Sequence, residues 1–175
     1  MQKPSRKRFK LEEIRLDYRL QSRVKIDDST VSEYADAIRD GDRMPAVSVV
    51  FDKVYCYLVD GFHRHQATKS AGLGEIEADL TEGHFRDALL ASVGANSKHG
   101  LRRTNDDKRR AVMTLFDDEE WGKWSDNQIA KACCLTKECY PTDCCRRPVV
   151  FTEEGLSGSE RFFRQHFVIP DRTSN

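Results

Sequence analysis

Two β-forming runs that pass directly into a helix constrain this chain more than any other feature. Val47-Ser48-Val49-Val50-Phe51 and Val54-Tyr55-Cys56-Tyr57-Leu58-Val59, separated by Asp52-Lys53, are rich in β-branched and aromatic residues. Such residues suit a pleated, half-buried surface, and the pair reads as a β-hairpin. After Asp60-Gly61 the apolar period changes. Phe62 to Ala71 contains good helix formers and stops at Gly72, so strand, tight turn and helix follow one another without a spacer. This succession predicts an α/β (α+β) chain, a small mixed sheet flanked by helices.

The neighbouring segments agree. Phe9 to Leu20 alternates weakly and is expected to be an opening strand and loop. Asp28-Ser29-Thr30 offers helix caps, Val31, Tyr34, Ala35 and Ile38 follow at helical spacing, and Gly41 supplies the stop. Ile76 to Leu80 alternates as a short, half-exposed strand, and Phe85 to Val93 is helical, broken at Gly94-Ala95-Asn96. Thr104 with Asp107 and Ser125 with Gln128 each form a capping box. The first opens a helix with Ala111, Val112, Leu115 and Phe116 as its buried stripe; the second runs through Ile129-Ala130 to Cys134. Beyond Lys137 the pattern decays.

Composition excludes several classes. No apolar run approaches the roughly 20 residues of a membrane helix, and the basic stretch Lys3 to Lys10 is not followed by an apolar signal region. A cytoplasmic protein is expected. Lys and Arg number 29 and Asp and Glu 29, so any attraction to a polyanion must be local. The basic clusters at Lys3 to Lys10, Lys98 to Arg110 and Arg146-Arg147 could supply it, or could simply be solvated faces. The six cysteines form no CxxC pair, which argues for buried or incidental thiols over a metal cluster.

The turn at Gly61 carries the chemistry. A helix that begins there points its free N–H groups back toward the strand end. Glycine allows close approach of a bound group. His63 and Arg64 lie in the first turn, where charge-assisted hydrogen bonds to phosphate are available. Cations oppose the dipole at this end of a helix, so a compensating anion is expected. The alternative is a surface turn whose His and Arg are solvated.

Gly61-Phe62-His63-Arg64-His65-Gln66-Ala67 resembles the second box of the ParB/sulfiredoxin superfamily, which reads Gly-Glu-Arg-Arg in ParB proteins and Gly-Cys-His-Arg in sulfiredoxins. Leu20-Gln21-Ser22-Arg23 is similar to the first box, and Tyr34 to Ile38 with Gly41 and Pro45 to the segment between them. Gly94 to Leu101 stands in the place of the third, Glu-Asn-x-x-Arg. The resemblance covers residues 9 to 105. It implies a nucleotide site for ATP or CTP, with magnesium possible. Arg23, Gly61, His63, Arg64 and Asn96 would bind nucleotide or phosphate, with His99 standing where the family has Arg. Ala95 replaces the family's metal-coordinating Glu, leaving Asn96 with Asp60 (or Asp87) as candidate metal ligands. Phe62 replaces the sulfiredoxin Cys, so sulfinic-acid reduction is excluded.

The resemblance further implies a nucleotide-binding enzyme that hydrolyses ATP or CTP, cleaves DNA, or does both. Of the candidate catalytic residues, His63 and Arg64 would bind and polarise a phosphoryl group, and His65 or His99 would be the general acid or base, because histidine titrates near cellular pH. A non-catalytic module in which nucleotide gates DNA or protein binding is the alternative. Lys98, His99, Arg102, Arg103, Lys108, Arg109 and Arg110 could touch a DNA backbone without reading sequence. Trp124 to Cys133 resembles the first helix of a helix-turn-helix, although Pro141 would shorten the next one. The expected organisation is a nucleotide- and phosphate-binding domain at 1–100, a helical segment resembling a truncated helix-turn-helix at 101–137, and an irregular or accessory tail at 138–175. Such short members include plasmid-encoded ones with roles in partition or conjugative-transfer interference, which implies a protein partner there.

Overall fold

The expected hairpin forms and supplies the middle of the sheet. The computed structural model describes residues 4–95 and 103–135. Its strands are β1 (Ser5–Lys10), β2 (Ile14–Arg15), β3 (Val47–Phe51), β4 (Cys56–Asp60) and β5 (Glu75–Glu82), in the order β1-β5-β3-β4-β2. β3 pairs antiparallel with β4 and parallel with β5; β1 runs antiparallel to β5, and β2 parallel to β4. The sheet is therefore mixed. The helices are α1 (Asp28–Arg39), α2 (Phe62–Ser70), α3 (Phe85–Gly94), α4 (Asn105–Phe116) and α5 (Asp126–Ala132).

Both edge strands come from one stretch of chain. Only the 3-10 turn Leu11–Glu13 separates β1 from β2. In a flat sheet four strand spacings, roughly 19 Å, would part them, yet so short a turn rises only about 2 Å per residue. The sheet must curl until its edges approach, and the Leu11 amide joins the turn to the Gly74 carbonyl at 3.0 Å.

Alternation along the hairpin then sorts two cores. Ile14, Val47, Val49, Leu58 and Ala78 pack on one face, with Phe62 from the start of α2. Leu20, Val50, Tyr57, Val59 and Ala88 pack on the other, where the Tyr57 ring meets Phe85 of α3 edge-on at 5.1 Å. α1 and α2 pack on each other through Val31, Ala35 and Ala67. A separate helical cluster holds Val93, Ala111, Val112, Leu115, Trp121, Ile129 and Cys133. α3 joins the two parts, because Ala88 packs on the sheet and Val93 on α4 and α5.

Three local expectations change. The opening strand lies at 5–10, earlier than the weak alternation suggests, because its outward side is ionic: Arg6 pairs with Asp79 at 2.8 Å and Arg8 with Glu77 at 3.6 Å. Val54 and Tyr55 belong to the hairpin turn, since the Asp52 carboxylate accepts their amides at 2.9 and 2.6 Å and Lys53 adopts φ 77°. β5 is half-exposed as expected, but it runs eight residues and has strand neighbours on both sides. Both expected capping boxes form, at Thr104 and at Ser125.

Arg103, expected at a DNA backbone, is instead enclosed at 7% exposure. Its guanidinium donates to the Val93 carbonyl at 2.9 Å and to the Cys133 carbonyl, at the ends of α3 and α5. A cation suits the negative end of a helix, and here one cation closes two. Arg86 reinforces the outer side of the same cluster, bonding Asp118 and Glu120 at 2.9 Å while lying 4.2 Å from the centre of the Trp121 ring. Cys56 is half-buried, Cys133 buried and Cys134 exposed. Among the described residues no helix is long and apolar enough to cross a membrane.

Candidate functional site

Gly61 is glycine for two reasons. As the N-cap of α2 it adopts φ 99°, and a Cβ there would sit 2.5 Å from Cγ1 of Val47. The left-handed backbone turns the chain from β4 into α2 within one residue. With no side chain at the cap, the amides of the first turn receive no side-chain acceptor from Gly61. The start of α2 remains an anion-attracting end.

The two cations of that turn part company. Arg64 folds back on the scaffold: Nη1 donates to the Pro45 and Ala46 carbonyls at 2.7 Å each, and Nη2 to Oδ2 of Asp60 at 2.9 Å. The expected compensating anion is therefore present within the chain. Arg64 pins the entry of β3 to the end of β4 and shapes the turn, although its Nε lies outside these bonds. Asp60 uses one oxygen in the pair, and its Oδ1 is buried without a hydrogen-bond partner in the structure.

His63 faces the first box. Its Nε2 accepts the Asp27 amide at 3.0 Å, which requires the neutral ring to carry its proton on Nδ1. Asp27 is the N-cap of α1, its carboxylate accepting from the amides of Ser29 and Thr30. Burial, then the nearby charge of Arg23, lowers the His63 pKa against the opposing pull of Asp27, Asp107 and Asp60. At neutral pH the ring is neutral.

Arg23 and the loop around it are fastened to α4. Arg23 Nη1 lies 3.1 Å from Oδ2 of Asp107 in a buried pair, and the Val24 amide donates to Oδ1 at 2.9 Å. Asp107 also accepts the Thr104 amide at 2.9 Å. Burial opposes its ionisation, but the amides of Val24 and Thr104, the Thr104 hydroxyl and Arg23 outweigh it and hold the carboxyl below its usual range. Arg110, also expected on DNA, is drawn into the same junction: it donates to the Gln21 and Tyr18 carbonyls at 3.1 and 3.0 Å. No local signal revealed the junction, since Asp107 reads in sequence as a capping residue and its partner lies 84 positions away.

His65 points elsewhere and loses its candidacy as acid or base. It is 6% exposed, hydrogen-bonded to the Leu11 backbone, and its Nε2 is buried without a partner. Burial is the chief cause of its lowered pKa, aided by Lys69 and opposed by the Leu11 bond. Both His63 and His65 thus titrate below the unfolded value of about 6.5. Their contribution to stability is complete above that pH and falls as pH drops through it, because the unfolded chain takes up protons first. Urea midpoints are expected to fall between pH 7.5 and 5.5, with a smaller fall in His65→Gln; equal falls in both proteins would refute the assignment to His65.

Asp87, the other candidate carboxylate, caps α3 by accepting the His84 amide at 2.8 Å. Among the described residues no group of three or more His, Cys, Asp or Glu side chains could hold a metal ion. Arg109 is half-buried on α4, and Lys108 Nζ lies 3.5 Å from Asn105. Asn96, Lys98, His99 and Arg102 lie outside the described residues, as does the stretch after α5 that would hold a recognition helix.

Comparison with known proteins now places the chain. Residues 3–97 match the profile of the ParB N-terminal domain. The chain belongs to this family. The ParB domain here is 32% identical over 102 residues to a possible regulatory protein of the streptomycin biosynthesis operon from Streptomyces griseus, covering 58% of this chain and 28% of that one. It is 34% identical over 74 residues to the transcriptional regulator NovG of Streptomyces niveus, covering 42% and 23% respectively. The matches thus take in about a quarter of each relative. The ParB fold is also seen in the C-terminally truncated chromosome-partitioning protein ParB from Caulobacter crescentus, complexed to the centromeric parS site. That likeness has a TM-score of 0.53 at 14% identity, over 75% of this chain and 66% of the other.

Proposed function

We propose that this ParB-type chain is a nucleotide-binding module of a DNA-associated regulator, working by binding rather than by catalysis. The observation that carries the reading is the meeting of Arg23 and His63 beside the uncapped start of α2. The charge of Arg23 lowers the pKa of His63, and His63 lies in the first turn of α2, whose cap offers no side-chain acceptor. In this reading the amides after Gly61 and the Nδ1–H of His63 cradle phosphate oxygens of ATP or CTP. Arg23 supplies the positive field, Arg64 positions the turn, and Asn96 completes the site. Magnesium, if required, enters with the phosphates.

The junction supports the regulatory half. Arg23, whose charge lowers the His63 pKa, pairs with Asp107 in the first turn of α4. A ligand at the corner thus acts on a residue that holds the helical segment 101–137, which is proposed to carry contact with DNA through Arg102 and Arg109, with Lys98 just before it. The two curated relatives bear names of regulators, which agrees with control of gene expression more than with plasmid transfer or partition. Hydrolysis of the nucleotide is the second reading, favoured by the resemblance of the second box. Its general acid or base would be His99, since His65 is enclosed and His63 Nε2 is occupied.

Calorimetric titration with ATP and CTP, with and without magnesium, tests the proposal. Saturable binding is expected, weakened at least tenfold in His63→Ala, or about 1.4 kcal/mol, with no phosphate release above that variant. Absence of binding to either nucleotide would sink it, and turnover would replace it with the hydrolytic reading.

A further inference from the structure

One contact at this corner joins backbone to a titratable ring. The Asp27 amide donates to Nε2 of His63 across 3.0 Å. Asp27 begins α1, His63 lies in the first turn of α2, and the loop between Arg23 and Asp27 carries the end of the first box. The hydrogen bond exists only while Nε2 is a bare acceptor. A proton added to a ring already holding one on Nδ1 goes to Nε2, where it meets the Asp27 N–H donor to donor.

We propose that His63 is a proton-operated latch, closed while the ring is neutral and opened by protonation at Nε2, that ties the first-box loop and the start of α1 to the phosphate turn. The charged groups facing the ring are set for such a device. Arg23 on the loop opposes a second positive charge. Asp27 at α1, Asp107 in the first turn of α4 and Asp60 at the end of β4 favour it. Asp60 is already paired with Arg64 and Asp107 with Arg23, which leaves Asp27 as the carboxylate toward which the imidazolium can turn.

Opening exchanges a bond to the Asp27 amide for attraction to its carboxylate and places like charges at residues 23 and 63. The first-box loop loosens from α2 while Arg23 stays fastened to α4. The latch requires no bound ligand, so it stands or falls separately from nucleotide binding. Asp27 itself stays ionised throughout, because hydrogen bonds from Ser29, then Thr30, lower its pKa.

The test is nuclear magnetic resonance of the full nitrogen-15-labelled chain from pH 8 to pH 5. Long-range correlations of the histidine rings report the tautomers, and the Asp27 amide reports the latch. At pH 8 His63 is expected to carry its proton on Nδ1. On acidification the Asp27 amide is expected to shift with the same midpoint as the His63 ring, below 6.5. In His63→Gln, which retains an acceptor that does not titrate, the Asp27 amide is expected to hold constant across the range. Titration of His65 in that variant confirms that the fold is intact. A proton on Nε2 at pH 8, an Asp27 amide indifferent to the His63 midpoint, or an Asp27 amide that still moves with pH in His63→Gln as in the parent chain would each overturn the proposal.

Discussion

Asp107→Ala is expected to destabilise the chain by about 3–5 kcal/mol, the usual cost of breaking a buried ion pair by removing one partner. The Arg23 guanidinium stays enclosed, its side chain only 7% exposed, with its countercharge gone. The Val24 and Thr104 amides lose their acceptors as well, and unsatisfied buried donors carry a further desolvation cost. The α4 capping box disappears in the same step. A domain of this size has a total stability of about 5–15 kcal/mol, so the variant approaches the limit of folding near room temperature. Chemical denaturation of both proteins measures the difference. Asp107→Asn should fall between them, since it keeps one acceptor but no charge. A loss under about 1 kcal/mol in the alanine variant would show that the first-box loop and α4 are not held by this pair.

Gly61→Ala carries the second large effect, with two separable causes. The added Cβ would lie 2.5 Å from Cγ1 and 3.0 Å from Cβ of Val47, both in the densely packed centre of the sheet. Overpacking of this kind costs about 1–3 kcal/mol. The φ of 99° adds roughly 1–2 kcal/mol for any residue with a Cβ. Gly72 provides the control: it also has a positive φ, of 81°, but nothing lies within 4 Å of its hypothetical Cβ. Gly72→Ala should show the backbone cost alone. Combining Gly61→Ala with Val47→Ala should recover part of the loss, a favourable coupling that distant sites lack. Equal effects at Gly61 and Gly72 would remove Val47 from the explanation.

The contrast between these glycines bears on how the phosphate turn is understood. Sequence points to Gly61 as the place where a ligand approaches the backbone. The structure adds a prior demand, because Val47 occupies the space a side chain would need. Arg64 is reinterpreted in the same way: it is a matched position of the second box, yet its bonds to Pro45, Ala46 and Asp60 make it a fastener of the turn. His63 is the member of the pair that faces the neighbouring box.

Local order was legible in the residues themselves. The hairpin, the turn at Gly61, α1, α2 and the capping boxes at Thr104 and Ser125 depend on contacts within a few positions, so side-chain period, φ preference and caps suffice to find them. The ParB resemblance likewise rests on short boxes whose order along the chain survives without three-dimensional information. Strand order did not show in the same way. β1 hides its pairing in arginines that meet Asp79 and Glu77 on β5, and the curl of the sheet follows from β1 and β2 sharing one stretch of chain. The roles of Arg103, Arg110 and His65 were decided only by the tertiary structure. In sequence each is a polar residue near a basic cluster or box; in the fold each meets backbone groups from a distant element. Burial is a property of the assembled whole, and a buried guanidinium or imidazole must satisfy whichever groups the packing brings to it. Sequence therefore determined the elements and the family. Packing decided which of the basic side chains hold the molecule together and which face the corner where a phosphate could bind.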